Sequence, residues 1–173
     1  ITVDSSTLLN KGLEMIEARW LFGIEPERMD VVVHPQSIVH SLVEYVDGSM
    51  LAQLSEPNMV LPIQYAMTYP ERKPGLLAPF DFQKFSQLTF EPPDKEKFLC
   101  LQLALDALQE GGSCPCALNA AGEVLVERFL SGGISWINIG RKLEKLMSSH
   151  RRSNMLSLDS ILSVDRETRE LAR

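Results

Sequence analysis

From Lys95 onward, apolar residues recur every three or four positions, and the first two runs each end on a glycine pair. Phe98, Leu101, Leu105 and Leu108 form one stripe, stopped by Gly111-Gly112. Ala117, Ala121, Val124, Leu125 and Phe129 form the next, stopped by Gly132-Gly133, and Trp136, Ile139, Leu143 and Leu146 form a third. Leu158, Ile161 and Leu162 start a fourth, with Ser163 read as the N-cap of a final short helix. Helical spacing joined by short, Gly-bearing connections points to a small antiparallel bundle. The small face Ala117-Ala120-Ala121 allows two helices to approach closely.

The first 69 residues have a different texture. Ile1-Thr2-Val3 alternates like a strand end and leads through a Ser-rich turn into a helix predicted from about Ser6 to Phe22, stopped by Gly23. Leu9, Leu13, Ile16 and Trp20 form its apolar stripe. Val31-Val32-Val33 reads as a short buried strand ended by Pro35. Residues 37–46 and 50–54 read as a hairpin around Asp47-Gly48-Ser49, because Asp-Gly between β-prone runs favours a tight turn. A helix from about Met59 to Tyr69 follows, with Pro62 accommodated in its first turn. Five of the ten prolines then fall between Pro70 and Pro93, which marks an extended connector. Its aromatic residues tie that connector to a surface, and Leu88-Thr89-Phe90 is placed as a short strand. The fold class is α+β: a small, mainly antiparallel sheet with helices, followed by an α-helical bundle. The expected division is 1–69, a connector at 70–94, and a helical domain at 95–173.

Composition narrows function. A net charge of −6 argues against a nucleic-acid partner, whose binding is carried by Lys and Arg facing phosphates. No apolar run approaches the length of a membrane span, so no membrane partner is expected. Three cysteines, Cys100, Cys114 and Cys116, point to a reducing compartment rather than a disulfide scaffold. No Gly-x-Gly-x-x-Gly dinucleotide fingerprint is present. The chain opens without an initiator methionine and directly into strand-like alternation, which reads as the middle of a larger fold.

The chemistry concentrates in Asp4-Ser5-Ser6-Thr7-Leu8-Leu9-Asn10-Lys11-Gly12-Leu13-Glu14. The hydroxyls of Ser5, Ser6 and Thr7 are N-cap candidates. Asn10, Lys11 and Glu14 can share one helix face, being three and four residues apart. A helix N-terminus attracts anions, and hydroxyls, an amide and an ammonium there suit a phosphate. A carboxylate does not, unless a divalent cation or a substrate hydroxyl lies between them. The alternative is a plain cap followed by a solvated Lys11–Glu14 pair.

Elsewhere, His34 and His40 flank a strand start as either ligand, acid–base or structural histidines. Simple alternation puts His40 on the face of Ile38 and Leu42. Glu56-Pro57-Asn58-Met59 is either a helix-entry turn or a loop lining a site. His150, Arg151 and Arg152 read as an exposed basic stretch.

The Asp4–Glu14 segment resembles the Asp-Ser-Ala-Thr-x-x-Asn-Lys-Gly-Leu-Glu segment of the 1-deoxy-D-xylulose 5-phosphate reductoisomerase family. His34-Pro35-Gln36-Ser37-Ile38-Val39-His40-Ser41, Leu51-Ala52-Gln53-Leu54, Ala117-Leu118-Asn119-Ala120-Ala121 and Leu162-Ser163-Val164-Asp165 agree with that family in order. The resemblance implies an NADP-dependent oxidoreductase of non-mevalonate isoprenoid biosynthesis that isomerises and reduces a phosphorylated sugar. It implies NADPH and a divalent cation (Mg²⁺, Mn²⁺ or Co²⁺), a homodimer, and a bacterial cytoplasmic or plastid location. Ser5, Asn10 and Lys11 would bind the phosphate, and Glu14 would contact substrate as one of three carboxylate metal ligands. Lys11, Glu14 and His40 would be catalytic, and Pro57 and Met59 would face the nicotinamide. The family's other two acidic ligands and its Rossmann NADPH domain have no counterpart in these residues, so the chain alone is expected to be inactive. Ser6 stands where the family usually has alanine. Two competing readings are a non-catalytic assembly module and a different phosphate-binding enzyme or sensor.

Overall fold

The computed structural model describes residues 1–154 and 157–173. The chain divides into two compact units, Ile1–Val31 with Pro93–Arg173, and Val32–Pro92. These boundaries differ from the 1–69, 70–94 and 95–173 division drawn from composition. Residues 1–31 fold with the C-terminal helices, and the proline-rich segment folds with the hairpin.

The first unit is helical. Its elements are α1 (Thr2–Thr7), α2 (Leu9–Phe22), a short 3₁₀ turn at Pro26–Arg28, α4 (Leu99–Glu110), α5 (Cys114–Leu130), α6 (Trp136–Ser149) and α7 (Leu158–Ala172). The expected strand end at Ile1-Thr2-Val3 is instead the start of α1, where Ser5 N donates to Ile1 O at 2.9 Å. Three alternating residues fit one helical turn as well as a strand, and packing of Val3 on the core selects the helix. The single helix expected from Ser6 to Phe22 is broken at Leu8, which sits in the left-handed region at φ 59° and joins α1 to α2. Gly23, also left-handed at φ 65°, closes α2 as expected.

The buried face of α2 is Leu9, Gly12, Met15 and Ile16. Trp20, expected in the stripe, is 70% exposed. The stripe turns because α2 crosses α4 at Gly12: a Cβ built there would lie 2.3 Å from the Ala104 Cβ. Leu9, Leu101, Leu118, Leu125, Ile139 and Leu143 are the fully buried centre of the bundle. Ala117, Ala120 and Ala121 are completely buried, as a close helix approach requires.

The last helix begins earlier than expected. Ser157, not Ser163, is the N-cap of α7 and accepts from Ser160 N at 3.2 Å, while Ser163 lies inside the helix and donates to Glu167 at 2.7 Å. Arg169 ties α7 to α5, donating to Glu123 at 2.6 Å and to Asp165 within its own helix at 2.9 Å. His150 is half-buried rather than part of an exposed basic run, and its Nε2 lies 2.9 Å from Ser113 Oγ. Ser113, itself buried, also accepts from Ser153 N at 2.9 Å. Replacing Ser113 with alanine removes the buried partner of two polar groups, so chemical denaturation is expected to show a loss of about 1–3 kcal/mol. Cys100 and Cys114 are free thiols, and burial pushes both up to about 11, which keeps them protonated at neutral pH.

The second unit holds the antiparallel hairpin β1 (Val39–Glu44) and β2 (Met50–Leu54), then α3 (Val60–Thr68). Asp47 Oδ1 accepts from Ser49 N at 2.9 Å and Ser49 Oγ at 2.6 Å, and Gly48 takes φ 83°. These contacts make the tight turn expected from Asp-Gly. Asn58 Oδ1 accepts from Val60 N at 2.8 Å at the entry to α3. The predicted strands at 31–33 and 88–90 reduce to one antiparallel bridge between Val33 and Glu91. Side chains complete that clip: His34 Nδ1 lies 2.8 Å from Thr89 O, Gln36 pairs with Thr89, and the His34 ring stacks on Phe90 at 4.7 Å. Gln64 on α3 donates to Lys73 O and Pro74 O, and Phe80 packs on Phe82 and Phe85, so the proline-rich segment is anchored. The elements make the chain α+β: one unit is a helical bundle, and the other holds a two-stranded antiparallel sheet with a helix.

Candidate functional site

In the helical unit, the α1–α2 elbow gathers the polar residues that the sequence singles out. Asn10 Nδ2 donates to Glu14 Oε1 at 2.7 Å, and Lys11 Nζ donates to Glu14 Oε2 at 2.5 Å. One carboxylate is thus held by an amide on one oxygen and an ammonium on the other. Lys11 and Glu14 retain 42% and 46% of their side-chain exposure, so the trio faces outward. The first-turn N–H groups of α2 at Asn10 and Lys11 have no carbonyl one turn back within the helix. Ser5 lies exposed on α1.

The expected hydroxyl caps take other roles. Thr7 is buried; its Oγ1 donates to Asp4 O at 3.1 Å and accepts from Leu9 N at 3.4 Å. Ser6 Oγ donates to Val3 O at 2.8 Å. The hydroxyls turn back onto α1 because Leu8, in its left-handed conformation, occupies the cap position of α2.

In the second unit, His40, Pro57 and Met59 line one groove of about 640 Å³ with Gln53, Tyr65 and Arg72. The surface of this groove is mainly apolar. His40 stands where the ladder slips: Val39 pairs with Leu54 and Ser41 with Gln53, leaving His40 as the extra residue of a bulge. A bulge re-aims a side chain. His40 is exposed, as is the rest of β1 from Ser41 to Glu44, whereas Ile38 just before the strand is fully buried. Its Nε2 lies 3.2 Å from Ser55 O. With Nε2 as the donor in that bond, Nδ1 is left as the acceptor nitrogen. The Arg72 guanidinium stacks 3.6 Å from the centre of the Tyr65 ring. No local spacing in the sequence marks Tyr65 or Arg72 as groove residues; Arg72 stands out only as a basic residue three positions past the predicted helix.

Among the described residues, no group of three or more His, Cys, Asp and Glu side chains is arranged to hold a metal ion. None of their helices is long and apolar enough to cross a membrane.

Residues 54–171 match the family described as DXP reductoisomerase C-terminal domain, and residues 1–22 match the 1-deoxy-D-xylulose 5-phosphate reductoisomerase C-terminal domain. The 1-deoxy-D-xylulose 5-phosphate reductoisomerase of Protochlamydia amoebophila is 63% identical over 172 residues, covering 99% of this chain and 45% of the relative. The enzyme of the same name from Clostridium botulinum (strain Okra) is 53% identical over 170 residues, covering 98% and 44%. The chain therefore spans about half the length of the relatives it matches. The solved reductoisomerase of Zymomonas mobilis in complex with NADPH superposes with a TM-score of 0.93 at 41% identity, over 99% of this chain and 46% of the other. A DOX-P reductoisomerase crystallised with NADPH, fosmidomycin and magnesium superposes with a TM-score of 0.89 at 43% identity, over 99% and 44%.

Proposed function

The chain belongs to the 1-deoxy-D-xylulose 5-phosphate reductoisomerase family, and we propose that it carries part of that family's catalytic machinery. The reaction is the rearrangement of 1-deoxy-D-xylulose 5-phosphate and reduction of the resulting aldehyde to 2-C-methyl-D-erythritol 4-phosphate. The observation that carries the proposal is the exposed trio on α2, where Asn10 and Lys11 each hold one oxygen of Glu14. A phosphate meets three kinds of donor at this elbow: the Ser5 hydroxyl, the Asn10 amide and the Lys11 ammonium. Lys11 also reaches a hydroxyl of the sugar.

Glu14 fits a divalent cation as one ligand, since its carboxylate is a hard oxygen donor that is exposed and oriented by two neighbours. The groove fits a nicotinamide: Pro57 and Met59 give apolar surface for the ring face beside the polar His40 and Arg72. When bound, a divalent cation supplies Lewis acidity at the vicinal oxygens of the substrate, and NADPH supplies the hydride. The chain's own residues bind and orient. Lys11 and Asn10 neutralise and position the phosphate, and Glu14 holds the cation; in the groove, His40 offers its Nδ1 as an acceptor. The homodimer and the bacterial cytoplasmic or plastid location belong to the same proposal.

Lys11→Ala in the whole protein tests the phosphate assignment. Loss of a charge-assisted contact is worth about 1.5–3 kcal/mol, so KM for 1-deoxy-D-xylulose 5-phosphate is expected to rise by about tenfold or more. An unchanged KM rejects Lys11 as a phosphate ligand.

A further inference from the structure

The elbow that presents Ser5 is weakly built on its own. Helix α1 has six residues, no side-chain cap, and a left-handed junction at Leu8. A helix that short does not hold itself in water, so contacts from elsewhere must fix it. Two of them are visible. On the inner side, α1 packs against α4, with Thr7 buried at the junction. On the outer side, Trp136 Nε1 donates to Ser6 Oγ at 2.9 Å, across 130 residues of sequence.

Trp136 is the first residue of α6, and its ring packs partly buried against the bundle core. An indole N–H is a donor only, and a serine hydroxyl both accepts and donates. Ser6 uses both capacities: it accepts from Trp136 and donates to Val3 O at 2.8 Å. The result is a short chain of hydrogen bonds from a core-packed bundle helix into the backbone of α1, next to Ser5. Alanine at position 6 has no hydroxyl to complete it.

We propose that Trp136 is a positioning residue that fixes the phosphate-facing end of α1 through Ser6, and so tunes affinity for the phosphorylated substrate without touching it. The inference rests on the assignment of Ser5, Asn10 and Lys11 to the phosphate. It predicts that the helical bundle sets the geometry of this elbow, beyond lending it stability. Trp136→Phe keeps the ring and removes only the donor; Ser6→Ala removes the acceptor; Ser6→Thr retains a hydroxyl.

The test is steady-state kinetics of the whole protein with 1-deoxy-D-xylulose 5-phosphate and NADPH, alongside Ser5→Ala as the reference. Trp136→Phe and Ser6→Ala are each expected to raise KM for the sugar phosphate about fivefold, the scale of one net hydrogen bond. Neither should change kcat or KM for NADPH by more than about twofold, a difference too small to matter on that scale. The double variant should be no worse than either single one, as partners in one contact require, and Ser6→Thr should keep the original KM. Unchanged KM in Trp136→Phe, additive effects in the double variant, or equal losses in kcat would each overturn the positioning role. If Ser5→Ala leaves KM unchanged, the phosphate assignment fails and the inference falls with it.

Discussion

Glu14→Gln in the whole protein is expected to abolish cation-dependent turnover while the fold survives. Glutamine keeps the shape and one acceptor oxygen but loses the charge that draws a hard cation. Loss of a partner behind a metal ligand typically costs about 10–100-fold, and loss of a ligand should exceed that. The structural cost is small because the Glu14 contacts lie at the surface: Lys11 and Glu14 are nearly half exposed, and such pairs are worth about 0–1 kcal/mol. The informative pattern is a collapse in kcat/KM together with an unchanged denaturation midpoint. Equal losses in both would make Glu14 a structural residue, and intact activity would remove it from the metal site.

The largest effect on stability is expected at Gly12, within the same segment. Alanine there brings a Cβ to 2.3 Å from the Cβ of Ala104 and 3.8 Å from its Cα. Neither neighbour is the end of a flexible side chain, so α2 and α4 must move apart. Helix propensity favours alanine over glycine by about 1 kcal/mol. Overpacking in a tight crossing costs about 1–3 kcal/mol, and a contact this short sits at the upper end. Gly12→Ala should therefore be destabilised on balance, read as a lower urea midpoint. Ala104→Gly in the same chain should restore most of the loss by reopening the space. A Gly12→Ala variant as stable as the parent would mean that the two helices cross less tightly than described. Because α2 also presents Asn10, Lys11 and Glu14, the single variant should lose substrate affinity as well.

These two residues show what the sequence can and cannot reveal. Glu14 was legible because its offset from Asn10 and Lys11 is local, and helical geometry turns that spacing into a shared face. The Gly12 contact with Ala104 was not, because its partner is distant in sequence and nothing in either residue marks a crossing. The same contrast runs through the fold. The hairpin at Asp47-Gly48-Ser49 and the stripes of α5 and α6 follow local rules and appear where expected, while α4 buries Cys100, Leu103, Ala104 and Ala107 beside the expected Leu101 and Leu108. The break at Leu8 carries no glycine or proline to announce it, since packing stabilises a leucine in the left-handed region. The Val33–Glu91 bridge replaces two predicted strands because pairing is decided by a distant partner. Ser157 and Ser163 are equivalent as cap candidates by type, and only the path of α7 along α5 chooses between them.

The candidate site follows the same division. His40, Pro57 and Met59 do share one groove, but the bulge at His40 depends on register across two strands. A reading by alternation puts that imidazole on the face of Ile38 and Leu42 and gives no sign of the bulge. Tyr65 and Arg72 join the groove because the segment after α3 folds back, with Gln64 holding Lys73 O and Pro74 O. No spacing rule connects those residues to His40.

The most direct test of the central assignment, a phosphate and a cation served by adjacent residues of one helix face, is a two-way titration of turnover in the whole protein. Sugar phosphate and Mg²⁺ are each varied in the parent, in Lys11→Ala and in Glu14→Gln. Lys11→Ala should chiefly displace the sugar-phosphate curve to higher concentration, and Glu14→Gln should remove or displace the Mg²⁺ response. Parent-like curves in both variants, or a Glu14→Gln protein that responds to Mg²⁺ as the parent does, would contradict the account.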